Sequence, residues 1–400
     1  MNAAYDILII GGGLVGASLA IALDDVGLRV ALAEAVPPRV DLQPSYDERN
    51  LALARATVNA LGALGVWDHV AARATPIRRI HVSRHGEFGA ARLSAAKHGL
   101  DAFGAVLPAR ELGNALLARL DACPHLVRLA PAQLTGVAVS DSAVDATLRF
   151  PDGERPLRAR LLVGADGSAS FVRAAAGIGT EDTDYAQTAF VATVLPQRDP
   201  DGCAFERFTE SGPVAVLPLA ERRAGVVLTV PAADAARVAA LDDAGFLDLL
   251  HQRFGYRLGA LSRPGRRVSY PLRRIEALRT TAPRTVLVGN AAQTLHPIGA
   301  QGFNLGLRDA ATLAELMETR GGDPGDDAML AAHAARRGED RMRTLAFSDG
   351  LARVTAQDTP LLRPLRSLGL LALDRLPSAQ AWLVGGAMGY RGDVPALCRA

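Results

Sequence analysis

Hydrophobic positions gather into short β-branched runs, and three of those runs stop at a glycine turn. Residues 5–10 read as a strand buried on both faces, with a helix over 17–26 and a second strand over 29–33 behind it. The same strand-then-turn signature recurs at 160–167 and at 285–289, the latter followed by helix-compatible apolar spacing over 304–315. Between them, 57–64 and 108–120 are predicted helical. Leu112, Leu116, Leu117 and Leu120 share one face of the second helix, Pro108 starts it, and Arg110 lies in its first turn on the opposite side.

Alternation over 78–88 predicts strands that cross into a second lobe, and 126–150 reads as short strands before a hairpin turn at Pro151-Asp152-Gly153-Glu154. From 185 to 270 strand signals dominate, at 190–195, 204–208, 214–217 and 226–230, with 242–254 as the one helical interruption. The first domain resumes near Thr285. Residues 321–327 read as a linker and 328–355 as helix. The leucine-rich stretch 361–376, punctuated by Arg363, Pro364, Arg366, Asp374 and Arg375, fits either an interfacial helix or one packing on its own nucleotide domain.

Each glycine turn carries candidate chemistry. Gly11-Gly12-Gly13-Leu14-Val15-Gly16 fits G-x-G-x-x-G between a strand and a helix. Gly11 allows the tight turn, Gly13 lets a pyrophosphate approach the backbone, and Gly16 permits close helix–strand packing, with the phosphates on the helix N-terminus. Glu34, ending the second strand, suits the ribose hydroxyls of FAD or NAD and disfavours a 2′-phosphate; its other reading is a solvated strand-end charge. Asp166 sits in the second turn, which a simple NAD dehydrogenase does not need. In the third, a helix opening near Gln301-Gly302 would aim unpaired N–H groups and a positive dipole end at the charge of a reduced flavin near its N1–C2 carbonyl. An ordinary glycine-rich loop is the competing reading.

At 400 residues and 49% hydrophobic content the chain has material for a sizeable core and two lobes. Lys+Arg 44 against Asp+Glu 42 leaves a net charge of +2, and with 5% aromatic residues this gives no case for nucleic-acid binding. Cys123, Cys203 and Cys398 are far apart and form no C-x-x-C pair, which argues against zinc, a disulfide framework or a dithiol centre and makes a reducing cytoplasm the expected setting. The N-terminal apolar run lacks a basic leader region and reads as strand. No uncharged stretch reaches the roughly 18 residues of a membrane span.

The motifs in this order, Gly11 to Gly16, then Ala165-Asp166-Gly167, then Gly289-Asn290-Ala291-Ala292 with Gly302-Phe303-Asn304-Leu305-Gly306, resemble the single-component flavoprotein aromatic hydroxylases, and within them the ubiquinone-biosynthesis hydroxylases. Asp47 to Leu53, Ala204 to Thr209, Gly212-Pro213, Leu217-Pro218, His251 to Gly259 and Tyr270-Pro271-Leu272 are similar to further segments of that family, so the likeness covers nearly the whole chain. Asn290 and Gln293, where most of the superfamily has Asp and His, make it most similar to the 2-polyprenyl-6-methoxyphenol hydroxylase branch. One departure stands out: the usual Ala-Gly-Gln-Gly is here Gly299-Ala300-Gln301-Gly302, and a left-handed requirement at the second position would strain Ala300.

The resemblance implies an α/β fold: a Rossmann-like FAD-binding domain (1–80, 100–180 and 271–330), an inserted, mainly antiparallel β-sheet substrate domain (81–99 and 181–270), and a C-terminal helical region (331–400). It implies that Gly11, Gly13, Gly16 and Glu34 hold the ADP half of FAD and that Arg49 and Arg110 reach the pyrophosphate or ribitol. Asp166 would position the nucleotide, Asn290 would bond the ribitol or pyrophosphate, and Pro297 with the Gln301-Gly302 backbone would border the isoalloxazine. For Arg49 a surface salt bridge with Asp47 or Glu48 is the alternative. NADPH or NADH would visit transiently, oxygen would form a flavin C4a-hydroperoxide, and a polyprenyl phenol would be hydroxylated with no acid–base pair required. His296, before Pro297, is expected to fix the turn, so no catalytic side chain is assigned.

A polyprenyl tail needs an apolar channel between the lobes, to which Phe205, Phe208, Val214, Val216 and Leu217 are candidates. Its membrane residence implies contact with the periphery of the inner membrane or membership of a biosynthetic assembly. Two other readings stay open: a flavin halogenase or isoprenoid reductase, and an accessory paralogue that has lost tight flavin binding.

Overall fold

The computed structural model describes residues 4–36, 49–356 and 362–399. Its first layer is an eight-stranded sheet whose central strands are parallel in the order Thr285–Leu287, Gly153–Gly164, Tyr5–Ile10, Val30–Ala33 and Leu126–Leu129. Ile7, Leu8, Ile9, Leu161, Leu162 and Val163 are buried at the centre because both faces are covered, as their unbroken apolar sequence requires. The Leu14–Ala22 and Gln301–Arg320 helices pack together on one face.

The second layer is a nine-stranded, mainly antiparallel sheet. Its long strands are Val268–Ala277, Thr180–Pro196, Ala224–Pro231, Gly212–Pro218, Cys203–Thr209, Arg79–Arg84 and Ala90–Ser94, in that order, the only parallel pair among those described joining Cys203–Thr209 to Arg79–Arg84. The sheet therefore runs to Ala277, seven residues past the expected edge at 270. Its outer face is covered by the Asp243–Phe254 helix, capped by Asp242. A small sheet of Asn50–Ala54, Gly104–Pro108 and Thr75–Pro76 lies between the layers.

The predicted elements correspond to observed ones, with shifted ends. The first helix begins at Leu14, three residues before the expected 17, because Gly13 already stands in extended geometry at its N-cap. Three observed helices were not among the predicted elements: Phe171–Ala175, Ala235–Ala239, and Pro377–Ala387, whose only buried residues are Gln380 and Val384. The Leu362–Arg375 helix docks on the second sheet, not on the nucleotide domain. Ser367 meets Gly89, where a Cβ would lie 2.4 Å from the Ser367 carbonyl oxygen, while Arg366 pairs with Glu87 at 2.7 Å and Asp374 accepts from the Arg92 N–H.

Candidate active site

Strand register brings the sequence turns together. Ala33 pairs with Ile10, Ile10 with Gly164, and Gly164 with Leu287, so four parallel strands end side by side and release Glu34, Gly11, Asp166 and Gly289 at one sheet edge. Ligands of open α/β sheets bind outside such carboxyl ends. The turns are also tied to one another: Arg173 donates to the carbonyls of Ser168 (2.8 Å) and Ala291 (2.9 Å), and Thr294 Oγ1 donates to Ser168 Oγ at 2.8 Å.

The glycines do what close approach demands. A Cβ on Gly11, whose φ is +104°, would lie 2.4 Å from the Ala165 oxygen, and one on Gly16 would lie 1.9 Å from the Gly11 oxygen. Gly289 and Gly306 both face Val15, with a Cβ on Gly306 only 2.8 Å from Gly289 Cα. These contacts seat the Gln301–Arg320 helix against the Leu14–Ala22 helix. Neither helix has a side-chain cap or an acidic residue in its first turn. Both sets of first-turn N–H groups are therefore left without a side-chain cap at the sheet edge, the electrostatics that a pyrophosphate and an electron-rich flavin edge require.

Glu34 accepts from the Gly12 N–H (2.6 Å) and the Val36 N–H (2.9 Å), which fixes its carboxylate beside the fingerprint turn with lone pairs to spare. It is not a freely solvated strand-end charge. Both Asp166 oxygens accept within their own turn, from Ser170 Oγ (2.5 Å) and the Val172 N–H (3.1 Å). Asn290 is exposed at the same edge, as is Pro297 in the loop that follows. Asn50 pairs with Pro108 and the Ala109 N–H donates to the Arg49 carbonyl at 2.8 Å, which sets the backbones of Arg49 and Arg110 side by side. The Arg49 guanidinium lies 5.2 Å over the Tyr270 ring and so reaches the second layer. Asp47 and Glu48, the partners of its alternative reading, lie outside the described residues.

The Pro297–Gly302 loop is strained and braced. Gly299 (φ +71°) and Ala300 (φ +52°) are both left-handed, so the transposed pair leaves alanine in the conformation that favours glycine. Gln301, buried, donates to the Gly299 carbonyl at 3.0 Å, and Gly302 follows it in the first turn. Asn304 uses its whole amide: it accepts from the Ala54 N–H (2.9 Å) and Thr57 Oγ1 (2.7 Å) and donates to the Ala52 (3.0 Å) and Ala300 (2.7 Å) carbonyls. His296 is pushed down to about 4 by burial and is neutral. Its Nδ1 accepts from the Ile298 N–H (3.3 Å), so Nε2 carries the hydrogen and donates to Gln187 Oε1 (3.3 Å), the turn-fixing role expected of it.

Beneath the loop lies a buried ionic chain that no sequence motif marks. Arg308 grips Asp340 with two bonds of 2.7 and 3.1 Å, and Arg337 joins Asp340 (2.6 Å) to Asp309 (2.8 Å). Gln293 donates to Asp309 (2.7 Å) and accepts from Arg341 (2.9 Å). An amide can bridge a carboxylate and a guanidinium in this way because it holds both a donor and an acceptor.

The second layer turns one face towards this loop. Phe208 and Val82 pack with Ile298, while Ala204, Ile80 and Leu217 pack with Ala52, Val106, Val384 and Met388. Of the five channel candidates only Phe208 and Leu217 face the inter-lobe space. Phe205, Val214 and Val216 point to the outer core under the Asp243–Phe254 helix, because successive residues of a strand alternate between faces.

The chain matches the FAD binding domain family over residues 4–347. It is 38% identical to the ubiquinone hydroxylase UbiL of Rhodospirillum rubrum over 96% of this chain and 89% of that one. The chain belongs to the FAD-dependent hydroxylases of ubiquinone biosynthesis. With the 3-demethoxyubiquinol 3-hydroxylase of Escherichia coli it shares 33% identity over 94% of this chain and 96% of the relative. The fold matches p-nitrophenol 4-monooxygenase PnpA of Pseudomonas putida with a TM-score of 0.79 at 19% identity, covering 98% of this chain and 100% of that one. It is therefore an FAD-dependent aromatic monooxygenase, of a family that normally uses NAD(P)H as co-substrate. No helix among the described residues is long and apolar enough to cross a membrane.

Proposed function

We propose that this monooxygenase hydroxylates a polyprenylated phenol of the 2-polyprenyl-6-methoxyphenol type, with NADPH or NADH as reductant and molecular oxygen as oxidant. The observation that carries the reading is the apolar inter-lobe face of the second sheet, with Phe208, Val82 and Leu217, set opposite the Pro297–Gly302 loop. Bound FAD would supply activated oxygen. The first-turn N–H groups after Gly13 would hold the pyrophosphate, with Gly13 allowing its approach and Gly11 and Gly16 packing the turn, and Glu34 would accept from ribose hydroxyls. Arg49, Arg110 and Asn290 would bond the pyrophosphate and ribitol, Asp166 would keep its turn in place, and Pro297 with the Gln301 and Gly302 amides would border the isoalloxazine. Oxygen uptake coupled to NAD(P)H oxidation with a short-tail methoxyphenol, yielding a product heavier by one oxygen, tests it. Reductant oxidation without such a product, or formation of a halogenated product, would defeat it.

A membrane contact is supported by the Leu362–Arg375 helix. Its docked side leaves Leu365, Leu368 and, just beyond, Leu376 exposed beside the exposed Arg363 and Arg375, the pairing of apolar and basic groups that suits an anionic lipid surface. Flotation with anionic liposomes should weaken in the Leu365→Glu, Leu368→Glu variant; unchanged flotation would refute the contact.

A further inference from the structure

Hydroxylating a phenol is easier when its ring hydroxyl gives up a proton, and no residue has yet been assigned to receive it. On the Cys203–Thr209 strand, Ala204, Glu206 and Phe208 share a face by alternation, and Ala204 and Phe208 both pack towards the nucleotide domain. Register confirms the direction of Glu206, which lies between Val82 and Ala215; Val82 packs with Ile298 of the flavin loop. The Glu206 carboxylate has no hydrogen-bond or ion-pair partner among the described residues. A carboxylate is not left so in an apolar interface without cost.

The charged or titratable groups on neighbouring elements are occupied or distant in role. Arg84, two residues beyond Val82, is paired with Glu87 at 3.1 Å, and Glu87 is also held by Arg366. At the Ile298 end stand neutral His296 and Tyr185, whose hydroxyl donates to Asp349 at 3.2 Å. The other facing residues, Ala52, Leu217, Val384, Met388, Leu351 and Ala352, are apolar. The opposite wall holds a second orphan: Asn50 Nδ2 is buried without a partner and lies where a Cβ on Gly225 would be 2.4 Å away. Gly225 pairs with Leu217, two residues along the same strand face from the partner of Glu206.

We propose that Glu206 accepts the phenolic proton of the substrate, with the Asn50 amide donating to an oxygen of the same ring. This rests on the phenol reading above. The phenol O–H bond breaks and a carboxylic O–H bond forms on Glu206, while the electron pair stays on the phenol oxygen and enriches the ring. No electrons are gained or lost in this step; oxidant and reductant belong to the oxygen transfer that follows. Desolvation already pushes Glu206 up to about 7, which suits a proton acceptor working near neutral pH. The side chain is only partly screened from solvent, consistent with a carboxylate that faces a concave space and is desolvated by its walls.

The test uses the full chain loaded with FAD, as wild type, Glu206→Gln and Glu206→Asp. With a short-tail methoxyphenol, wild-type kcat/KM should rise with pH through about 7 as the carboxyl ionises, and Glu206→Gln should lose that limb and fall on the order of 10²-fold at the alkaline end. With a chromogenic nitrophenol as probe, difference spectra slightly below neutral pH should show a bound phenolate in wild type and Glu206→Asp, and a bound neutral phenol in Glu206→Gln. An unaltered pH limb and phenolate band in Glu206→Gln would overturn the proposal, as would their loss in a folded, yellow Glu206→Asp. If wild type binds FAD yet neither binds nor hydroxylates any phenol, the substrate reading fails and takes the proposal with it.

Discussion

The two helices that aim their N-termini at the sheet edge are built to the same end by different means. The Leu14–Ala22 helix starts from Gly13 in relaxed extended geometry and is held by apolar packing in which Gly16 touches the Gly11 backbone. The Gln301–Arg320 helix starts from Ala300 in a left-handed conformation and is held by Asn304 and by the Arg308–Asp340–Arg337–Asp309 ion chain. A phosphate site can be made of backbone alone. A loop carrying a strained alanine needs side chains to over-determine it.

The largest effect should come from the bracing. Burial raises the Asp340 carboxyl, but Arg308 and Arg337 more than offset this and hold it below the usual range. Asp340→Asn strands the buried Arg308 guanidinium, leaves Arg337 with Asp309 alone, and should cost about 3–5 kcal/mol of stability, read by denaturant unfolding. A cost under about 1 kcal/mol would mean that the chain is not what holds this helix.

Gly16→Ala attacks the unbraced helix instead. Its Cβ would meet the Gly11 oxygen at 1.9 Å, and the fingerprint turn must open. Overpacking of this kind costs about 3 kcal/mol, so FAD affinity in a fluorescence titration should drop about a hundredfold. Unchanged affinity would show that the cofactor does not use this turn.

How much of this contrast could be read from sequence follows from its physics. Gly11, Gly16, Asp166 and Gly289 were legible because each turn is local, with strand, glycine and helix adjacent in the chain. Glu206 falls within a segment similar to the family's, yet its importance depends on which face of its strand meets the other lobe, and the same dependence makes Phe205, Val214 and Val216 channel candidates by sequence alone. Arg308 and Asp340, 32 residues apart, join two helices, and no period in either marks the pair. The Pro377–Ala387 helix escaped because it has no continuous buried stripe.

His296 gives the comparison a pH axis. Burial lowers it to about 4 from the usual 6.5, so it is neutral in the folded chain and takes up a proton on unfolding. Its contribution is complete above about pH 6.5 and is lost as pH falls towards 4. His296→Asn, which can still accept from the Ile298 N–H, should flatten the acid limb of the unfolding free energy against pH by up to about 3 kcal/mol, read by denaturant unfolding. An equally steep limb in the variant would assign it to the other buried histidines, His81 and His333, also lowered to about 4.

The smallest effect has the opposite sign. Ala300→Gly removes a left-handed alanine and should stabilise the chain by about 1 kcal/mol, less the entropy glycine returns to the unfolded state. A loss of stability would mean that the loop adopts another conformation in solution.

A crystal structure of the chain with FAD bound tests the central claim most directly. The account predicts the pyrophosphate on the N–H groups that follow Gly13, the ribose beside Glu34, and the isoalloxazine edge against the Gln301 and Gly302 amides, with Glu206 facing the ring across the inter-lobe space. A flavin that left either helix N-terminus untouched would contradict it.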